Sequence, residues 1–320
     1  MEPLSRRLSV LQWWLPGLLG FGLLAVYLST MAPGFTWANG AADGGDLIGA
    51  AATGGVAHPT GYPVYLLLAG LFQHLRIGTL AYRTNLLSGL SMAGAALLVY
   101  LTVRAALPAR APLPRELAGA VSAVAFGLSP LAWSQAVITE VHALHVLFLA
   151  ALMYLVVRWR PPSPAQAVTL GLVQGLALGN HVLSVLMLPA VLVAASWRRG
   201  GDANPASETG RTRAWDWRTF GLVVAGVAVG LLSYLILPAR AALHPAVNWG
   251  DPATPERFLW LISGQLYRGY LVLLDGSVIF QHAAAWASQA LMQFGLAGLA
   301  LAVLGATVFF SPSPVFFLTI

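Results

Sequence analysis

Long runs without charge govern what this chain can fold into. The stretches near 13–32, 84–103, 117–132, 140–157, 166–197, 219–238 and 284–310 carry almost no ionisable side chain. A helix needs roughly 20 mostly apolar residues to cross a bilayer's hydrocarbon core. Inside that core the backbone must satisfy its own hydrogen bonds, which leaves helices and closed barrels. The runs show none of the alternation of a barrel strand. Only 9% of the 320 residues are charged, against about 25% in a soluble domain. The sequence therefore predicts an all-α, polytopic membrane helical bundle.

The run 166–197 is too long for one ordinary span. Gly179-Asn180-His181 interrupts it, which predicts two short helices meeting at a polar turn and brings the total to about eight spans. The first run is long, and no small-x-small cleavage site follows it, so it is expected to stay as a span. Residues 61–76 are apolar but short and open with Gly61-Tyr62-Pro63.

All 17 basic residues are arginine, spread over short loops, and the formal net charge is +6. Scattered arginines are membrane-topology signals rather than a nucleic-acid footprint. There is no cysteine, which excludes disulfides and thiolate chemistry. If 61–76 spanned the membrane, Arg104, Arg110 and Arg115 would fall outside, against the positive-inside tendency. A re-entrant or interfacial 61–76 instead places twelve arginines inside: Arg6, Arg7, Arg104, Arg110, Arg115, Arg158, Arg160, Arg198, Arg199, Arg211, Arg213 and Arg218. Both termini are then cytoplasmic. The expected layout is one transmembrane domain over 1–320, with a first outer loop at 33–83, a cytoplasmic linker at 198–218 and an outer loop at 239–283. The last residues, Val315 to Ile320, form no polar tail, which reads as a chain missing a downstream part.

This topology puts the unusual polar residues on one side. They are Asp43, Asp46 and His58, then Glu140, then the Asn180-His181 turn, then the loop with Asp251. All seven histidines fall in outer loops or outer halves of spans. Asp43-Gly44-Gly45-Asp46 reads either as solvated loop acids or as a general base or metal ligand close to flexible backbone. His58-Pro59-Thr60-Gly61-Tyr62-Pro63 is stiffened by two prolines. It is either a rigid helix start or a histidine held against an anion at a helix N-terminus. Glu140 is either an ordinary helix-terminal acid or part of a polar patch with Trp133, Ser134, Gln135 and His142 at the membrane edge. Asn180 and His181 need partners between two apolar half-helices. Arg240 and Arg268 break the charge bias and suit either lipid headgroups or a lipid-linked phosphate.

Five ordered motifs together resemble a known family. They are Asp43-Gly44-Gly45-Asp46, His58-Pro59-Thr60-Gly61-Tyr62-Pro63, Trp133-Ser134-Gln135-Ala136 with Glu140-Val141, Gly179-Asn180-His181, and Asn248-Trp249-Gly250-Asp251-Pro252. Their order resembles the bacterial multi-pass family called domain of unknown function 2723, whose eukaryotic relatives are transmembrane protein 260-like protein O-mannosyltransferases. The likeness runs from about Leu28 to Arg268. The resemblance implies a GT-C-type glycosyltransferase working on the outer face of the cell membrane. It would move a sugar, mannose by family likeness, from a polyprenyl-phosphate carrier to a protein or glycan hydroxyl. Asp43 matches the family's first acid, and Asp46 stands where Glu is commoner. Gly44 replaces Ser, Thr60 a second Pro, and His142 a Tyr.

On this reading Asp43 and Asp46 are catalytic. Substrate is bound by His58, Tyr62, Glu140, Asn180, His181, Arg240, Trp249, Asp251 and Arg268. The reading names no definite cofactor, and a divalent cation is compatible with the acids. The partners are the carrier-linked sugar, the acceptor and the bilayer, with no nucleic acid. The rival readings are a transporter or flippase of a lipid-linked anion and an inactive carrier-binding fragment. Transport would call for repeats or polar residues deep in several spans, and neither is evident.

Overall fold

The structure is a computed structural model that describes residues 4–107, 112–159, 163–196, 216–271 and 276–310. It is all-helical, and among the described residues the one β pairing is a parallel bridge between Val56 and Asn248. The first helix, α1 (Leu4–Thr30), leads to a loop, then to α2 (Gly44–Ala52), α3 (Pro63–Gln73) and α4 (Leu80–Ala106). Next come α5 (Pro112–Gly127), α6 (Pro130–Ala136), α7 (His142–Val157), α8 (Pro164–Asn180) and α9 (Leu188–Ser196). The chain continues with α10 (Trp217–Leu231), α11 (Ile236–Ala241), α12 (Pro255–Ile262), α13 (Arg268–Leu271) and α14 (Gly276–Phe310). Most of the 198–218 linker, and the end of the chain after 310, lie outside the described residues.

Among the described residues four helical stretches are long and apolar enough to cross a membrane: Trp13–Thr30, Leu80–Ala106, Trp217–Ala241 and Gly276–Thr307. A fifth arises if α5 and α6, bent by 65° at Leu128-Ser129, form one broken span. The window in α14 has no buried position, and Phe280, Trp286 and Leu296 are among its exposed side chains. Such a helix is stable where lipid covers it. The protein is thus a multi-pass membrane protein. Of the expected runs, 117–132 is the bent α5–α6 pair. The run 140–157 is α7, 16 residues that rise about 24 Å, somewhat less than the core thickness. Helix α3, with 11 residues, rises only about 16 Å, a length that suits an interfacial or re-entrant element.

The run 166–197 breaks where the polar residues sit. Helix α8 starts with a capping box in which Ser163 and Gln166 exchange side-chain and backbone bonds. It ends at Asn180, and a 3₁₀ segment, Val182–Met187, follows. Gln174, buried in α8, donates to the Ser184 carbonyl at 3.0 Å and ties the two halves together.

Helices α8 and α10 approach until their backbones touch. A Cβ added at Gly171 would lie 1.9 Å from the Val223 carbonyl oxygen, and one at Gly175 2.3 Å from that of Val227. On the facing helix, Gly226 and Gly230 are blocked in the same way by the backbones of Val168 and Leu176. Glycines four apart on each partner make the small-residue seam that lets membrane helices pack without a hydrophobic drive between them. Helix α8 thereby fixes the height of Asn180-His181 relative to the segment that follows α10.

Arginines expected at loops close the chain locally. Arg83 donates to the carbonyls of Gln73, Ile77 and Gly78 and so caps the α3–α4 turn. Glu116, buried in α5, lies 2.9 Å from Arg104 of α4 and accepts from the Tyr100 hydroxyl. A buried carboxylate needs such compensation.

A side chain at the α8–α10 seam must push backbone apart. Gly175→Leu is expected to destabilise the fold by at least about 1–3 kcal/mol, the usual penalty of overpacking. Gly221→Ala, at a position with nothing within 4 Å of an added Cβ, should leave the melting temperature in detergent within about 2 °C of wild type. Equal melting of the two variants would refute the seam.

Candidate active site

Two consecutive segments and a third far away in sequence meet at Asp46. The residue lies in the first turn of α2, and the chain returns through the loop 53–62 to place His58 against it. His58 donates to one Asp46 carboxylate oxygen from its backbone N–H at 3.0 Å and from Nδ1 at 2.7 Å. The other oxygen accepts from the Trp249 indole N–H at 2.8 Å. Trp249 is held there by backbone bonds, since its N–H donates to Val56 and the Val56 N–H donates to Val247. Gly55 permits this approach, because a Cβ there would lie 2.2 Å from the Val247 oxygen.

His58 is buried, and both of its ring nitrogens face acceptors. Nε2 lies 3.1 Å from the Tyr62 hydroxyl and 3.5 Å from Asp43 Oδ2. The Tyr62 hydroxyl gives its own proton to the Pro59 carbonyl at 3.2 Å, so its oxygen is free to accept. This network suits an imidazolium. Burial acts to lower the His58 pKa, but the bond to Asp46 and the charges of Asp43, Asp46 and Glu140 outweigh it and raise the value. For Asp46 burial acts upward, and the bonds from His58 and Trp249 outweigh it and hold the carboxyl below its usual range.

Asp43 differs from its neighbour. It precedes α2, its side chain is 51% exposed, and its nearest charged partner is His58 at 3.5 Å. Its backbone N–H donates to the Glu140 carboxylate at 3.3 Å. Glu140 is buried, and its second oxygen has no protein partner. Burial and the nearby Asp43 charge push its pKa up to about 7. The loop carrying Glu140 is pinned from below. Thr139 donates to Asn85 at 2.6 Å, and Asn85 donates to the Ala32 carbonyl at 2.8 Å.

Behind Tyr62 lies a group of histidines. The His181 ring is 6.2 Å from Tyr62, 5.7 Å from His142 and 4.7 Å from His145, between centroids. Asn180 donates to the Val141 carbonyl at 3.3 Å and joins α8 to the start of α7.

Of the expected site residues, Asp43, Asp46, His58, Tyr62, Glu140, Asn180, His181 and Trp249 form one connected cluster. Arg240 borders it, donating to the Gly55 carbonyl at 3.1 Å. Asp251 is not drawn in. It adopts a positive φ of 41° and is bound by Arg257 and by Asn248 at 3.1 Å, which locks the turn after Trp249. Arg268 is exposed at the start of α13. His74, His244 and His282 lie apart. Asn85, Thr139 and Ser184 were not singled out in the sequence, although polar residues within apolar runs are a usable signal. Both Asp46 oxygens already face N–H donors. Among the described residues no group of three or more His, Asp or Glu could hold a metal ion.

An open apolar groove of about 410 Å³ is lined by residues that include Leu178, Leu232, Leu235, Phe258 and Ile262.

The Asp46–His58 pair makes stability depend on pH. Asp46, depressed below its ordinary 3.8, contributes above that pH and loses the contribution as pH falls through the folded value. His58, raised above its ordinary 6.5, contributes fully below 6.5 and loses the contribution as pH rises through the folded value. The melting-temperature gap between wild type and Asp46→Asn is therefore expected to be widest between about pH 4 and 6.5 and to narrow on both sides. A gap independent of pH would contradict the ion pair.

A family model described as the protein O-mannosyl-transferase TMEM260 N-terminal domain matches residues 43–204. The chain is 34% identical over 224 residues to a Mus musculus protein named Protein O-mannosyl-transferase TMEM260, which covers 68% of this chain and 30% of that protein. It is 28% identical over 287 residues to Protein O-mannosyl-transferase tmem260 of Dictyostelium discoideum, covering 82% of this chain and 33% of the relative. The chain thus spans about a third of the length of these curated relatives. No solved structure matches it significantly.

Proposed function

Because the chain belongs to the TMEM260 N-terminal-domain family of protein O-mannosyl-transferases, we propose that it transfers a mannosyl group from a polyprenyl-phosphate carrier to a protein hydroxyl, with inversion, as a single GT-C-type domain. The observation that carries the reading is the division of labour between two neighbouring acids. Asp46 is saturated by three N–H donors, whereas the Asp43 side chain is half exposed and its nearest charged partner, His58, is 3.5 Å away.

In this mechanism Asp43 removes the proton of the acceptor hydroxyl as its oxygen attacks the anomeric carbon. The bond from that carbon to the phosphate oxygen breaks, and the carrier phosphate leaves with the electron pair. Asp46 does not touch substrate; it orients His58 and keeps it charged. Glu140 fixes the Asp43 backbone. Arg240 uses one guanidinium nitrogen on Gly55, and its remaining N–H groups suit the carrier phosphate, where negative charge develops. Arg268 is a second cation for that phosphate, reached when carrier is bound. The apolar groove lined by Leu178, Leu235 and Phe258 suits the isoprenoid chain. The site faces the outer side of the membrane, as the arginine distribution favours.

The test is sugar transfer from radiolabelled polyprenyl-phosphate-mannose in membranes bearing the chain. Asp43→Asn is expected to lower transfer by roughly 10²–10⁴-fold at unchanged protein level, the usual scale for a general base. Asp46→Asn should lose less, and Trp249→Phe less again. Full activity in Asp43→Asn would sink the base assignment. No transfer by wild type would sink the proposed activity for this chain.

A further inference from the structure

The histidines behind Tyr62 carry a pattern of protons that their hydrogen bonds define. The Leu183 backbone N–H donates to His181 Nδ1 at 3.2 Å. That nitrogen is therefore an acceptor, and in a neutral ring the proton sits on Nε2. His145 is the opposite case. Its Nδ1 lies 3.2 Å from the Ser184 hydroxyl oxygen. The Ser184 hydroxyl has one proton, and it goes to the Ala177 carbonyl at 3.0 Å, which can only accept. Nδ1 of His145 must then donate to Ser184, which leaves its Nε2 as a bare acceptor. Among the described residues neither Nε2 has a protein hydrogen-bond partner, and neither is an enclosed unsatisfied atom.

Two imidazoles 4.7 Å apart thus present one donor and one acceptor. Their place follows from a row of rings. From His58 it is 5.0 Å to Tyr62 and a further 6.2 Å to His181, so the pair sits beside the acids rather than among them. Among the described residues neither ring belongs to a group of three or more His, Asp or Glu that could hold a metal ion. A neutral donor–acceptor pair beside an aromatic ring is the chemistry that reads adjacent hydroxyls on a pyranose.

We propose that His145 and His181, held in opposite tautomers by Ser184 and the Leu183 N–H, form a hydroxyl-reading subsite for the sugar of the carrier-linked donor. This rests on the reading given under Proposed function and adds to it which part of the donor the two histidines hold. They act on the sugar and not on the phosphate.

Asparagine separates this role from a structural one. At either position its amide can take the place of Nδ1, keeping the bond to the Leu183 N–H or to Ser184, while nothing remains where Nε2 was. Glutamine can return an amide to the Nε2 position. The measurement is equilibrium binding of the full chain in detergent to dolichyl-phosphate-mannose and, separately, to sugar-free dolichyl phosphate. His181→Asn and His145→Asn are each expected to weaken the mannosylated lipid roughly tenfold, the scale of one lost hydrogen bond. Binding of the sugar-free lipid should change less than about twofold, and His181→Gln should recover part of the loss. Equal weakening of both lipids, or wild-type binding of the mannosylated lipid in both Asn variants, would overturn the subsite. A wild type that binds neither lipid would instead bring down the carrier-sugar reading and this inference with it.

Discussion

The bond from His58 to the Asp46 carboxylate is the constraint on which the site depends. It ties the start of α2 to the end of the loop 53–62, and through Trp249 it ties both to the segment after α11. Placing charges where the surroundings are largely apolar is expensive unless they are paired and hydrogen-bonded. Here the neutralisation is nearly complete, because each Asp46 oxygen and each His58 nitrogen has a partner. Rigidity follows from the same bonds. With Asp46 fully engaged, the ring of His58 has one orientation, and Asp43 faces a fixed positive edge.

Electrostatics then divides the acids by environment rather than by residue type. Asp46 is held ionised by donors, Glu140 is pushed toward neutrality by burial and by Asp43, and Asp43 stays at the surface of the cluster. This arrangement leaves one carboxylate exposed while the other two are engaged within the protein. It also explains why so polar a cluster persists in a chain that is 58% hydrophobic: most of its polar atoms are satisfied within the protein, and the principal exceptions, such as Glu140 Oε2 and the Asn180 amide oxygen, sit at the cluster itself.

Much of this was legible in the sequence, though unevenly. The apolar runs became helices because nothing else satisfies a backbone over such lengths without charge. The break at Gly179-Asn180-His181 was visible because polar residues interrupt a continuous run. Asp46 and His58 were placed on one side of the membrane by the arginine distribution, but their direct bond was not foreseen. The bond from Trp249 to Asp46 was not readable, since 203 positions separate them and only the tertiary fold joins them. Asp251 looked like a site acid by its motif, yet its positive φ and its bonds to Arg257 and Asn248 give it to a turn. Glycines four apart in 171–179 and 226–230 were present in the sequence. Their meaning depends on which two helices face each other, and periodicity within one helix does not reveal that.

The glycine seam between α8 and α10 has a mechanical consequence. A helix advances about 1.5 Å and turns about 100° per residue. A slip of one register between the pair would therefore swing His181 off its face of the bundle. Side-chain packing could absorb such a slip by repacking, but backbone against backbone cannot. The seam serves as a gauge. It holds the histidines that end α8 at a set height against the strip of chain that runs from α10 through Arg240 to Trp249, so both walls of the cleft are measured from the same contact.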